Sequence, residues 1–465
     1  GKPGSDIGRS TSGVTGRGGS GAGDTGADED ESRDESSFDQ PIQKLTGSTI
    51  SPILARTSVS KASLLHRSKA SGHRFSRCER TPGSQPSSQA DYSFVFADPM
   101  IREKYYLDDY RGDEEDPEHV LLFLCGQEDV YEWDRVYPRG RTIGMKKLGE
   151  GSFGEVYEVN KTGGHGKVAV KIMPIGGDVE INDNPQKELN DVVLEVVASK
   201  ELSSLADGSC NRTSTFIRLI KCALVQGPYL PAFVSAWRAY EKKKGSENEC
   251  PKKLPVDQLY LACEYESAGE DLDAFKLNSE KEALSVFVQV ALALAVAEEE
   301  LGFEHRDLHA GNILLSRVPE STTIPYILNG EKIVVPSNGL LVKIIDFSLA
   351  RFERGDTVLF FDLEEDEALF AGEGELQFQI YRDMREATKG NWREFCPATN
   401  ALWLFHLIHV LLNTKKYKNR RFGGGQKLQK LVTTLMEECR TAESARTVVA
   451  SPRFKEVLRI VESEQ

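Results

Sequence analysis

The stretch His305-Arg306-Asp307-Leu308-His309-Ala310-Gly311-Asn312 constrains this chain more than any other. It sets a carboxylate and an amide five residues apart, just ahead of the apolar strand Ile313-Leu314-Leu315. An Asp in such a loop can accept a hydroxyl proton, and the Asn can offer its amide oxygen to Mg2+. Four fixed positions in so short a pattern make a chance match rare, and a polar loop before a strand would not require them.

Three further motifs occur in the order that such a loop demands. Gly149-Glu150-Gly151-Ser152-Phe153-Gly154-Glu155-Val156 has G-x-G-x-x-G spacing between two strand patterns, a hairpin rather than the strand-to-helix turn of a dinucleotide fold. Alone it is weak, but glycines there let backbone N–H groups approach phosphate oxygens. Val168-Ala169-Val170-Lys171 follows on the next strand. A lysine ending an apolar strand is often an edge residue reaching solvent; after a glycine hairpin its amine fits the α- and β-phosphates. Such a lysine needs a carboxylate to fix its rotamer. The helix expected over 188–205, with Val192, Val193, Val196 and Val197 at helical spacing, offers Glu195, with Glu188 and Glu201 as rivals. Finally, Lys343-Ile344-Ile345-Asp346-Phe347-Ser348 ends an apolar strand in a carboxylate that can bridge Mg2+ to phosphates. Alignment and charge neutralisation are most of what phosphoryl transfer from ATP requires, and the four motifs supply both.

A small β-rich unit precedes a helical one, so the expected fold is α+β: a two-lobed protein kinase with a β-rich N-lobe, a helical C-lobe and an atypical activation segment. Residues 1–90 read as a disordered tail, 91–136 as an N-terminal extension packing on the kinase domain, 137–265 as the N-lobe and 266–465 as the C-lobe. Gln258–Tyr265 reads as a buried strand and Ser279–Leu301 as a helix with a serine N-cap. The uncharged run Ala283–Ala297, 15 residues long, falls short of the ~18 of a membrane span and is expected in a core. The Gly-, Ser- and Asp-rich start has no signal-peptide run, and its first residue is not Met, as expected of a piece of a longer chain.

The formal net charge of −14 argues against direct nucleic-acid binding and for basic partners. Eight scattered cysteines without CxxC spacing fit a reducing compartment. The tail divides into an acidic half, Asp24–Glu35, and a basic half, Arg56–Arg80, each read first as solvated chain. Asp362-Leu363-Glu364-Glu365-Asp366-Glu367 holds five acids in six positions shortly after Asp346. Beside a cleft, such a run attracts Lys and Arg flanking a phosphoacceptor.

Two departures from the general kinase pattern stand out. Ser348 replaces the Gly after Asp-Phe, which should restrict flipping of the Asp346 region and favour a standing active conformation, and no Ala-Pro-Glu follows. With Ser199-Lys200-Glu201-Leu202-Ser203, Cys210-Asn211-Arg212-Thr213, Leu294-Ala295-Val296-Ala297-Glu298, Phe303-Glu304 ahead of His305, and the segment from Asp366-Glu367 through Leu369-Phe370, Gly372, Gly374, Gln377-Phe378 and Ile380-Tyr381-Arg382, the chain resembles the haspins over roughly 130–465. Haspins are atypical serine/threonine kinases that phosphorylate histone H3 on the threonine third from its N-terminus.

The resemblance implies Lys171 and Glu195 as the ion pair, Asp307 as the base, and Asn312 and Asp346 as Mg2+ ligands. It implies Tyr265 as gatekeeper, with Glu266 and Ala268 offering backbone groups to adenine. Gly149, Glu150, Gly151, Ser152, Phe153, Gly154, Val156, Ala169 and Leu314 complete the cofactor set. Glu150, Asp271, His309 and Asp366 match substrate-reading positions, whereas one further acidic position falls on Ala368, beside Glu367. It also implies ATP and Mg2+ as cofactors, chromatin-associated partners, a monomer without membrane or nucleic-acid contact, and a nuclear, chromosomal role in mitotic chromosome segregation. The alternative is a pseudokinase chromatin scaffold, disfavoured because Lys171, Asp307, Asn312 and Asp346 are all present; a small-molecule phosphotransferase would lack the acidic cluster. Ala55-Arg56-Thr57 repeats the start of the H3 tail and is read as coincidence, with Thr57 as a self-substrate the competing reading.

Overall fold

Burial with a period of two runs through the strand Lys167–Ile175: Val168, Val170 and Ile172 are buried, while Ala169 and Lys171 on the other face are only half-buried. That alternation, lost from Ile172 onward where Met173 and Ile175 are buried too, belongs to a sheet with one closed face and a second face covered only beyond Lys171. The computed structural model describes residues 117–463 apart from 152, 164, 183, 356, 416 and 418–424. The tail, Thr57, Ser152 and most of 91–136 therefore lie outside the described residues.

Six strands form the first sheet: β1 (Tyr131–Glu132), β2 (Lys146–Gly151), β3 (Gly154–Asn160), β4 (Lys167–Ile175), β5 (Leu219–Gln226) and β6 (Leu259–Tyr265), ordered β1-β5-β6-β4-β3-β2. Three helices pack on it: α1 (Pro117–Cys125), α2 (Leu189–Ser204) and α3 (Pro231–Lys244). The closed face is aromatic, with Trp133 5.0 Å from Tyr260 and 5.6 Å from Phe233 of α3 between ring centroids. The other face receives Val192, Val193, Val196 and Val197 of α2. Ahead of β1, Gln127 exchanges hydrogen bonds with Leu224 of β5 (2.7 and 3.0 Å), which fastens the end of α1 to the sheet.

The second lobe is built on α4 (Glu280–Leu301), whose first turn is capped by Ser279 Oγ accepting from Glu282 N at 3.2 Å. It is buried almost throughout, so the uncharged run is core, and no helix among the described residues is long and apolar enough to cross a membrane. β7 (Glu270–Asp271), β8 (Ile313–Arg317) and β11 (Leu340–Ile344) form a sheet ordered β11-β8-β7. Hairpins β9–β10 (Thr323–Leu328, Glu331–Pro336) and β12–β13 (Arg351–Arg354, Thr357–Phe360) interrupt the stretch. Four longer helices follow: α5 (Leu376–Thr388), α6 (Ala398–His409), α7 (Gly425–Thr441) and α8 (Pro452–Glu462). All seven described cysteines are free thiols.

Candidate active site

β8 and β11 pair antiparallel with Ile313 opposite Ile344. That register brings the loop ending at Asn312 beside the one beginning at Ile345, and Ile345 N donates to Asn312 O at 3.0 Å. Two residues 34 apart in sequence, Asn312 and Asp346, thereby face one edge of the sheet. Asn312 Nδ2 donates to Asp307 O (2.8 Å) and Oδ2 (3.3 Å), so its Oδ1 is the atom left for a cation.

The loop before Asn312 is held from below. Asn400 of α6 accepts from His305 N at 3.0 Å and donates to Phe303 O at 2.8 Å. His305 Nδ1 accepts from Asp307 N (3.3 Å) while Nε2 faces Ile345 O (3.0 Å); that pairing fixes the neutral tautomer, and burial pushes the ring's pKa down to about 4. Arg306, wholly buried at φ 65°, pairs with Glu304 (3.2 Å), donates to Trp392 O (2.6 Å) and lies over the Trp392 ring. In switchable kinases a free arginine meets a phosphorylated activation loop; here Arg306 is already spent internally. Asp307 itself is raised above the ordinary carboxylate range by burial, against the pull of His309, Tyr381 and Asn312.

Across the cleft, Lys171 Nζ lies 2.5 Å from Glu195 Oε1 and 3.9 Å from Asp346 Oδ2. The three rival carboxylates of α2 are thus separated. Glu188 is the N-cap in a capping box with Asp191, and Glu201 pairs with Arg354 at 3.3 Å. Burial works against the Lys171 charge, but Asp346 and Glu195 outweigh it and hold the ammonium above its usual range. Asp346 is likewise held far below the carboxylate range: burial opposes this, and Lys171, Lys187 and Ser348 prevail. Ser348 Oγ donates to Asp346 Oδ1 at 2.8 Å, and Phe347 is buried edge-on to Phe216, Phe303 and His305. The serine that departs from the general pattern pins the carboxylate it follows.

The glycine hairpin pairs Gly149 with Val156 and Gly151 with Gly154. Gly149 and Gly151 face open space, whereas a Cβ on Gly154 would meet Ile172 O at 2.3 Å, so Gly154 lets β3 close on β4. The hairpin is braced from outside. Buried Lys147 sits against Glu150 and Glu155 and under the rings of Trp237 and Tyr240 of α3. Ser246 Oγ (2.6 Å) and Glu247 N (2.8 Å) donate to Glu150, and Asn248 Nδ2 donates to Gly151 O (3.0 Å) and Glu155 (3.1 Å). Glu150, assigned to both cofactor and substrate, therefore has both its oxygens bonded within the fold.

Val156 stands opposite Lys171, Ala169 opposite Tyr265, and Leu314 opposite Asp271, each half-buried and lining the opening. Glu266 N is taken by Arg218 O at 3.0 Å, so only its carbonyl can serve a base, and its side chain pairs with Lys343 at 2.6 Å. Ala268 is buried next to Gly269, whose φ of 92° and approach to Leu315 O exclude any side chain. Of the substrate-reading set, Asp271 Oδ1 accepts from Ala274 N (2.7 Å), Asp366 Oδ1 from Ala368 N (3.1 Å) and His309 Nδ1 from Gly311 N (3.0 Å). Within the acidic run, Glu364 is engaged by Arg385 and by Trp392 Nε1 (3.2 Å). Two residues carried no role in the sequence reading. Tyr381 of α5 donates to Asp307 Oδ1 at 2.5 Å, and Lys187 lies 3.5 Å from Glu195 Oε2. Tyr381 stood in a motif segment without an assigned role; Lys187 carried no motif signal at all.

A family model described as haspin like kinase domain matches residues 46–450. The chain belongs to the haspin-like kinase family. It is 43% identical over 277 residues to serine/threonine-protein kinase haspin of Bos taurus, spanning 59% of this chain and 35% of that protein. With the haspin homolog of Drosophila melanogaster it shares 36% identity over 310 residues, 65% of this chain and 54% of the other. With that of Arabidopsis thaliana it shares 36% over 345 residues, 73% and 55% respectively. The chain thus matches between about a third and just over half the length of these relatives. Its α+β two-lobed architecture is that of the haspin-like kinase family.

The residues present fit a magnesium nucleotide. Among the described residues no group of three or more His, Cys, Asp or Glu could hold a metal alone. Mg2+ is commonly held by one or two protein oxygens together with substrate phosphates, and Asp346 with Asn312 Oδ1 is such a set. The open glycines and Lys171 complete a cradle for phosphates.

Proposed function

We propose that this chain is an ATP- and Mg2+-dependent serine/threonine protein kinase that phosphorylates a threonine in the N-terminal tail of histone H3. The observation that carries the reading is the Glu195–Lys171–Asp346 line, at 2.5 and 3.9 Å, standing opposite Asp307 and Asn312. Lys171 would hold the α- and β-phosphates, and Asp346 and Asn312 the metal. Mg2+, when bound, would supply positive charge that offsets the negative charge of the phosphate oxygens. Asp307 orients the threonine hydroxyl and takes its proton as the oxygen bonds to the γ-phosphorus and the bond to the β–γ bridging oxygen breaks.

A basic tail suits the acidic atoms around the cleft: the remaining oxygens of Asp271 and Asp366, exposed Glu270, and exposed Glu367, which already faces Arg385 at 3.7 Å. The family supports histone H3 as target, and with it a nuclear, chromosomal site of action, chromatin-associated partners and a part in mitotic chromosome segregation. The protein would act as a monomer, without nucleic acid or membrane. Phosphate transfer to an H3 tail peptide, set against a choline and aminoglycoside panel, tests the substrate class. Wild type should label the peptide alone, and Asp307→Asn or Lys171→Ala should abolish transfer. Wild-type turnover in either variant would sink the role assignment, and a silent wild type would favour a scaffold.

A further inference from the structure

A buried carboxylate needs one counter-ion, yet Glu195 has two: Lys171 at Oε1, 2.5 Å, and Lys187 at Oε2, 3.5 Å. We propose that Lys187 is a second ammonium contact for the nucleotide's triphosphate, working beside Lys171 from the far oxygen of Glu195. The inference rests on the nucleotide-site reading above and extends it to a residue with no role there.

Three placements support it. The Lys187 backbone is bridged to the end of β4, the strand that carries Lys171, with Gly176 N donating to Lys187 O at 3.0 Å. Its Nζ lies 5.0 Å from the ring centroid of Phe153, at the turn of the glycine hairpin, so it reaches from Glu195 toward the roof of the cleft. It is also close enough to Asp346 to help depress that carboxylate. Lys187 thus stands among the three elements that surround the phosphates: hairpin, ion-pair helix and metal-binding Asp.

Charge gives the reason for a second cation. The loop from Asp307 to Asn312 contains no Lys or Arg, and Arg306 is wholly buried in its own network. Lys171 and Glu195 cancel and Asp346 offsets part of the metal ion's charge, so Lys187 adds positive charge that the Asp307–Asn312 loop does not supply. Charge-assisted contacts to phosphate are strong enough for this difference to be measured.

Equilibrium binding of Mg-ATP and of adenosine to the full chain tests the idea without turnover. Lys187→Met should weaken Mg-ATP about tenfold and leave adenosine unchanged, and Lys187→Arg should restore most of the loss. The same step in a Lys171→Met background separates a direct contact from an effect relayed through Glu195, since independent contacts add. A further loss of similar size in that background is expected. The proposal fails if the loss disappears there, if adenosine weakens equally, or if Mg-ATP binding is unchanged in a variant with wild-type thermal stability. If Lys187→Met unfolds, Lys187→Gln is measured by the same criteria. Should wild type bind adenosine but not Mg-ATP, the nucleotide-site reading falls first and this one with it.

Discussion

Ser348 Oγ donates to Asp346 Oδ1 at 2.8 Å, and Ser348 N points to the same oxygen at 3.3 Å. Asp346 sits at φ 61°, a left-handed conformation that non-glycine residues adopt at a cost. The serine offsets that strain with a hydrogen bond to a charged acceptor, worth about 1.5–3 kcal/mol. Ser348→Ala should lower kcat/KM for ATP by roughly fivefold, and Ser348→Gly by more, because glycine also frees the backbone. Steady-state kinetics at varied Mg-ATP reads this, and unchanged values in both variants would remove Ser348 from the account.

Tyr381 orients Asp307 from a helix 74 residues away. Its ring also packs edge-on to Trp403 at 5.6 Å, which phenylalanine preserves. Tyr381→Phe should therefore cut kcat about tenfold while KM for ATP and the melting temperature stay put. A change in KM alone would point to a packing role instead.

Arg306 has no unspent donor face for a phosphate, so phosphatase treatment should leave turnover unchanged, as a peptide assay before and after treatment would read. Arg306→Ala should destabilise the fold by about 1.5–3 kcal/mol, because the wholly buried Glu304 loses one charged donor while keeping Arg351 at 4.0 Å and the donors Cys396 N and Thr399 Oγ1, both at 2.8 Å. Denaturant unfolding measures the loss. A phosphatase-sensitive enzyme would show that the arginine network rearranges.

His305 sets an acid limit. Its pKa falls from 6.5 to about 4 on folding through burial, so the folded state binds its proton less readily than the unfolded chain. Above pH 6.5 the ring costs nothing; as pH falls from there toward 4, each unit removes up to about 1.4 kcal/mol of stability from this group. Unfolding free energies between pH 7 and 5 should decline accordingly, and a nuclear magnetic resonance titration should find the ring neutral at pH 5. A ring that protonates near pH 6.5 in the folded state would contradict the buried tautomer.

What could be read from the chain alone followed the distance between partners. Asp307 and Asn312 lie in one loop, and the strand ending at Asp346 carries its own apolar signature, so these candidates needed no long-range information. Glu195 is the favoured partner of Lys171 from its mid-helix place, but its rivals Glu188 and Glu201 are set aside only by distant contacts, Arg354 claiming Glu201 and Glu188 capping α2. The run Asp362–Glu367 looked uniformly available, yet Glu364 is taken by Arg385 and Trp392 from the following helix and turn. Lys187 and Tyr381 were missed because no local pattern marks a side chain whose meaning lies in a distant acceptor.

The brace of Lys147, Ser246 and Asn248 on the glycine hairpin has a consequence for small-molecule design. A roof tied at several points to α3 and to the segment just after it resists folding down onto a ligand, so inhibitors that gain selectivity from a collapsed roof lose that gain here. Rigid, flat heterocycles that fill the existing opening should be favoured, and loosening the brace with Asn248→Ala would widen the range of scaffolds the cleft accepts.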